Sequence, residues 1–125
     1  ISKRRDAVHN LDYVTEGEKE LLFQNAKMFI FPSLAEGFGF PVLEAQSYEV
    51  PVITSDIPSL KEVGGDGAIY IDPENIDQIV KGMRNILTED EISTDLVQKG
   101  SANLKKFSFT KAAKEWYQHV EEVLS

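Results

Sequence analysis

The sequence predicts an α/β fold: a small parallel sheet with flanking helices, followed by a helical C-terminal tail. Three observations carry this. Short apolar runs such as Met28-Phe-Ile-Phe31 and Val52-Ile-Thr54 alternate with stretches whose apolar residues recur every three or four positions. Those runs are apolar on both faces, as are strands buried between two layers of helices. Beyond Ile71 no strand-like run appears, and the rest of the chain is helix-periodic.

Taken in order, Val8 to Val14 reads as a short, weak strand. Thr15-Glu-Gly-Glu18 has the spacing of a capping box, with Thr15 at the N-cap of a helix that carries Leu21, Leu22 and Ala26. Lys27 to Phe31 is an apolar run stopped by Pro32, suited to a central parallel strand. Pro41 to about Tyr48 reads as a helix, with proline early, where its missing N–H costs nothing. Val50 to Ser55 is the next buried strand, and Ser59-Leu-Lys-Glu62 has capping-box spacing on a short helix. Gly64 to Gly67 is a turn, and Ala68 to Ile71 is a third strand closed by Asp72-Pro73. Ile76, Ile79, Val80, Met83, Ile86 and Leu87 then mark one amphipathic face. Thr88-Glu-Asp-Glu91 offers another capping box, ahead of a helix with Ile92, Leu96, Val97 and Leu104. Phe107-Ser-Phe109 breaks it, and Lys111 to Leu124 forms a last helix with Ala112, Trp116, Val120 and Val123 in rough register.

Composition narrows the function classes. The 125 residues suffice for one domain with a real core. A net charge of −8, with scattered basic residues, argues against nucleic acid as a partner; Lys3-Arg4-Arg5 is too short to make a patch. The absence of cysteine removes disulfide scaffolds and thiolate metal sites and fits a reducing compartment, so the expected location is cytoplasmic. No apolar run approaches the roughly 20 residues of a membrane span, and the start lacks the apolar region of a signal peptide. His9 and His119 are isolated, and no metal site is expected.

The chemistry concentrates in Glu36-Gly-Phe-Gly-Phe-Pro-Val-Leu-Glu-Ala45, between a predicted strand and a predicted helix. Parallel sheets bind ligands at the carboxyl ends of their strands. Gly37 and Gly39 remove two side chains where a ligand would approach the backbone. The helix N-terminus near Pro41 offers unpaired N–H donors and a partial positive charge, suited to a diphosphate. A carboxylate accepts two hydroxyl hydrogens at once, which matches a vicinal diol. Two carboxylates flanking a helix end therefore describe a nucleotide-sugar site. Taken singly each residue has a plainer role: Glu44 complements a helix dipole, worth about 0.3–1 kcal/mol, the glycines make turns, and Phe38 and Phe40 fill a core. The ordered ten-residue set favours the ligand turn.

This stretch resembles the E-x7-E signature of the group 1 (family 4) retaining glycosyltransferases of the GT-B fold. Phe31-Pro-Ser33, Pro51-Val-Ile-Thr-Ser-Asp56, Pro58, Glu62-Val63 and Tyr70-Ile-Asp-Pro73 fall in the family's order and approximate spacing, so the likeness covers nearly the whole chain. It implies a partial Rossmann-like sheet, residues 1–125 being the later part of the donor-binding C-terminal domain. It implies that Glu36 is catalytic, beside the transferred sugar, and that Phe38, Gly39 and Phe40 offer backbone N–H groups to sugar and diphosphate. Glu44 would bind the ribose hydroxyls, and Tyr13 and Val14 would border the base, although Asp12 stands where the family has glycine. Gln46-Ser47 and Glu49 also depart from the pattern, and are expected to act on helix packing rather than on chemistry. The implied reaction is transfer of a sugar from a nucleotide-diphosphate-sugar to an acceptor with retention, by same-face delivery, without cofactor or metal.

The acceptor domain, the first two strands of the donor domain and the basic pair that clamps the diphosphate find no counterpart in these residues. The chain is therefore expected to be part of a larger enzyme and inactive alone. Its expected partners are a nucleotide-sugar donor, a carbohydrate or lipid-linked acceptor and, for the longer enzyme, a membrane surface. A dimer through an apolar sheet edge at Phe29–Phe31 is also expected, because exposed edges invite pairing, and Trp116 and Tyr117 are expected to be unusually exposed. Two other classes share the composition. A GT-B epimerase or phosphorylase would use the same architecture, the phosphorylase with a pyridoxal-binding lysine context that is not evident. A receiver-like, non-catalytic interaction domain would need an acidic cluster with a partner lysine, whereas Asp56 and Asp72 read as caps and turn formers.

Overall fold

The computed structural model describes residues 7–107 together with Val120, Glu122 and Val123. It is an α/β unit: a three-stranded parallel sheet flanked by helices, with helices at its C-terminal side. The elements are α1 (Glu16–Asn25), β1 (Phe29–Phe31), α2 (Phe40–Ser47), β2 (Val52–Ser55), α3 (Pro58–Gly64), β3 (Ala68–Ile71), α4 (Ile76–Thr88) and α5 (Asp90–Lys106). The strands lie in the order β1-β2-β3, with Ile30 opposite Ile53 and Ile53 opposite Ile69.

Alternation along the strands divides the core in two. Phe29, Phe31, Val52 and Ala68 face one side, packing with Val42, Leu43 and Ala45 of α2 and Leu60 and Val63 of α3. Ile30, Ile53, Ile69 and Ile71 face the other, against Ile79, Met83 and Ile86 of α4 and Ile92 and Leu96 of α5. Ile53 and Leu60 are fully buried, and each such side chain stabilises the fold by about 1.5–3 kcal/mol. The apolar stripe of α4 is only partly used: Ile86 is buried, while Ile76 and Leu87 stay exposed. Among the described residues no helix is long and apolar enough to cross a membrane.

The capping box at Thr15 forms as its spacing predicts. The Glu18 N–H donates to Thr15 Oγ1 and the Thr15 N–H to Glu18 Oε1, both at 3.1 Å. The other two boxes do not form. Pro58 takes the first turn of α3, so the N-cap is Ile57 rather than Ser59, without a side-chain cap. Thr88 is the last residue of α4, its hydroxyl donating to Arg84 O at 2.8 Å, and α5 is capped by Glu89.

The strand expected over Val8–Val14 is absent. Asp12 sits at φ 51°, and its N–H donates to Asn10 Oδ1 at 3.1 Å. Such local side-chain bonding draws the backbone away from a ladder. Phe29–Phe31 forms a strand whose character suits a sheet centre but which lies at the sheet edge, as expected for these residues, paired only with β2 among the described residues. The core side of α1 is also not the one expected: Leu21 and Leu22 are exposed and Phe23 is buried. The Phe23 ring stacks on Tyr48 at 5.4 Å and tilts against Phe29 at 5.3 Å.

A buried polar cluster docks α5. The Asn103 side-chain amide donates to Gln46 Oε1 at 2.9 Å and lies 2.8 Å from Val63 O, while Gln46 Nε2 donates to Gly64 O at 3.0 Å. Gln46 thus sits in a network joining α2, α3 and α5. Glu49 holds φ 59°, a left-handed conformation that glycine adopts without penalty. Phe107 closes α5 as the expected break requires. Ser108, Phe109 and the last helix over Lys111–Leu124, with Ala112, Trp116, Tyr117 and His119, lie outside the described residues except for Val120, Glu122 and Val123, which the expected helix includes.

Candidate functional site

The site lies where β1 ends and α2 begins. β1 hands the chain to a loop from Pro32 to Phe38, and Gly39 turns it into the helix at φ 81° and ψ 34°. Glycine reaches that left-handed region without strain. The turn also needs the absence of a side chain, because a Cβ at Gly39 would lie 2.6 Å from Leu60 Cδ2. Pro41 occupies the first turn of α2, and the Val42 N–H bonds Gly39 O at 3.0 Å. The N–H groups of Phe38 and Gly39 have no hydrogen-bond partner among the described residues.

Glu36, Phe38, Gly39, Phe40 and Glu44 line one open cleft of about 660 Å3. The loop thus brings both carboxylates and the helix start together. Glu36 is half-buried, and its Oε2 lies 3.0 Å from Ser33 Oγ. That hydroxyl also lies 2.9 Å from Ala35 O, so it ties the carboxylate to the loop that carries it. Phe38 packs edge-on against Phe107 at 6.3 Å, and Phe40 tilts against Phe38 at 6.2 Å. Phe38 thus packs on the core as well as lining the cleft, and the partly buried Phe40 leans on it.

Two residues of the cleft wall were not foreseen. Lys19 and Glu16, on α1, complete it. Lys19 Nζ lies 3.1 Å from Glu44 Oε2 and 3.2 Å from Glu16 Oε1. The Glu44 carboxylate, hydrogen-bonded to it, holds the Lys19 ammonium above the usual lysine value. The spacing of Glu16 and Lys19 along α1 is legible as a helical pair. The bond from Lys19 to Glu44 joins two helices and has no signature in either.

Tyr13 and Val14 do not line this cleft. Tyr13 is 97% exposed. Val14 borders a separate open hollow of about 650 Å3 with Leu11, Leu21 and Leu22. A third hollow, of about 600 Å3, runs along the free edge of β1 beside Phe23, Phe29 and Phe31 and shares Lys19, Pro41 and Glu44 with the cleft. Asp56 pairs with Lys61 at 3.0 Å, and Asp72 Oδ1 accepts from the Glu74 N–H at 2.9 Å, so both act locally. His9 is exposed.

The family model for "Glycosyl transferases group 1" matches residues 3–103. The O-antigen chain mannosyltransferase B of Escherichia coli is 37% identical over 106 residues, which are 85% of this chain and 28% of that protein. The O-antigen chain mannosyltransferase RfbU of Salmonella typhimurium is 38% identical over 82 residues, 66% of this chain and 23% of its own. The serotype-specific mannosyltransferase WbdA of Escherichia coli is 34% identical over 101 residues, 81% of this chain and 12% of its own. The chain thus spans under a third of the length of these curated relatives.

Proposed function

The chain belongs to the group 1 glycosyl transferases, and on that premise we propose that it forms the donor side of an enzyme that transfers a sugar from a nucleotide-diphosphate-sugar with retention. The transfer is proposed for the whole protein, not for these 125 residues alone. The observation that carries the reading is the joint placement of Glu36, Glu44 and the α2 N-terminus on one cleft wall. Each offers what one part of such a donor needs.

Glu44 accepts hydrogen bonds from the ribose hydroxyls. The N–H groups of Phe38, Gly39 and Phe40 and the positive end of α2 face the diphosphate, which becomes the leaving group. Preorganised donors of this kind stabilise charge as it develops. Glu36 lies against the sugar and stabilises the positive charge that grows at the anomeric carbon as the bond to phosphate breaks. The acceptor hydroxyl then enters on the face the diphosphate leaves, which preserves the configuration. Tyr13, exposed just ahead of α1, is the ring available to a base, with Val14 beside it. Several relatives are named mannosyltransferases, so mannose is the sugar we propose. The acceptor is a carbohydrate or a lipid-linked carbohydrate, which would place the longer enzyme at a membrane surface on the cytoplasmic side.

Titration of the full-length enzyme with a panel of nucleotide-sugars tests this. Glu44→Ala is expected to weaken their binding by roughly tenfold or more, since hydrogen bonds to a charged group are worth about 1.5–3 kcal/mol, while binding of free sugars stays as it was. Unchanged affinity for nucleotide-sugars would exclude the ribose role.

A second partner is a second copy of this chain. Among the described residues the outer edge of β1 has no strand partner, beside the apolar hollow at Phe29 and Phe31, and such edges pair with other strands. Sedimentation is expected to give a dimer of the 14.0 kDa chain. A strict monomer across the micromolar range would end this part of the proposal.

A further inference from the structure

Lys19 has two carboxylate partners of unequal weight. Glu16 is 90% exposed, and exposed pairs contribute little. The side chains of Lys19 and Glu44 are only 33% and 26% exposed, so the bond between them is partly shielded from water. Among the described residues Lys19 is the one cation on the cleft wall, facing Glu16, Glu36 and Glu44. It holds one oxygen of Glu44, Oε2, and among the described residues no bond is made to Oε1.

We propose that Lys19 is a positioning residue for Glu44: by binding Oε2 it fixes the carboxylate in one rotamer and turns Oε1 toward the hydroxyl pair of a nucleoside diphosphate. The inference rests on the ribose role of Glu44 proposed above. A glutamate with three free torsions must be immobilised when a ligand binds, and a neighbour that has already fixed it removes that cost. The ammonium also offsets part of the negative charge of a wall with three carboxylates, which would otherwise repel a diphosphate. The Lys19 pKa is raised, first by its hydrogen bond to Glu44.

The test separates positioning from charge alone and from failure of the ribose role. The probes are the four common ribonucleoside diphosphates and their 2′,3′-dideoxy counterparts, titrated into the full-length wild type, Lys19→Met, Lys19→Arg and Glu44→Gln. The readout is the ratio of affinities for each ribo and dideoxy pair. Wild type is expected to prefer the ribose form, and Glu44→Gln to bring the ratio to one. Lys19→Met is expected to lower the ratio by roughly three- to tenfold, the scale of one immobilised side chain, and Lys19→Arg to restore most of it. If Lys19→Met weakens both probes equally, the lysine acts through charge only and the inference fails while the ribose role stands. If Glu44→Gln leaves the ratio unchanged, or wild type shows no preference, the ribose role fails and this inference with it. A second measurement needs no ligand. Titration of the Lys19 ammonium by NMR is expected to move toward the ordinary lysine value in Glu44→Gln; an unmoved midpoint would show that the pair does not form and overturn the inference.

Discussion

Replacing Gly67 by alanine is expected to cost about 3–5 kcal/mol and to loosen α5 from the sheet, because overpacking and two compromised buried hydrogen bonds add. A Cβ at Gly67 would lie 2.6 Å from the Cα and 2.7 Å from the N of Gly100, which belong to the backbone of α5. Backbone atoms of a helix cannot rotate aside as a side chain can. The same Cβ would meet Gln46 Nε2 at 2.7 Å, the group that donates to Gly64 O and Gly67 O. Domains of this kind are stable by about 5–15 kcal/mol in total, so a loss of this size removes a large part of the margin. Urea unfolding measures it. The control is Gly17→Ala on α1, where a Cβ meets nothing within 4 Å and alanine is the better helix former. An unfolding midpoint for Gly67→Ala equal to wild type would refute the close approach of the turn before β3 to α5.

Gly39→Ala is expected to damage stability and the cleft together. The residue holds φ 81°, where a side chain costs about 1–2 kcal/mol. Its Cβ would also press on Leu60 Cδ2 at 2.6 Å. A terminal methyl usually swings away, but Leu60 is fully buried against α2 and β2, so relief means repacking at about 1–3 kcal/mol. The summed cost is about 2–5 kcal/mol, and the first turn of α2 must shift to absorb it. That turn carries Phe38 and Phe40, so nucleotide-sugar affinity is expected to fall more than in Gly37→Ala, where the added Cβ meets open space. Thermal unfolding and donor titration on both variants provide the comparison. If Gly39→Ala matches Gly37→Ala in both, the left-handed turn is not what shapes the cleft.

The local signals were read correctly where local forces decide. Thr15 and Glu18 cap each other because both partners lie within one turn. The same spacing at Ser59 and Thr88 failed for reasons outside the motif. Pro58 starts its helix two residues earlier, and α4 runs on through Thr88. Strand identity was legible at Phe29–Phe31 and Val52–Ser55, since apolar runs bounded by Pro32 and Asp56 have few other uses. The segment Val8–Val14 also carries apolar residues, but Asp12 in its left-handed conformation, bonded to Asn10, takes the backbone out of an extended run. The helix face of α1 was misjudged likewise: whether Leu22 or Phe23 is buried depends on where Tyr48 and Phe29 lie.

The motif from Glu36 to Glu44 carries its resemblance to the family without tertiary information, because its residues lie within ten consecutive positions and a strand-to-helix turn fixes their relation. The sequence by itself determined the α/β alternation, the carboxylate pair and the helix start between them, all set by short-range chemistry. Only the tertiary structure decided what meets that motif from elsewhere. It placed Lys19 against Glu44, Ser33 against Glu36, Leu60 beneath Gly39 and Asn103 against Gln46. These contacts join separate elements, and their partners are chosen by packing the two faces of the sheet, which no single segment encodes.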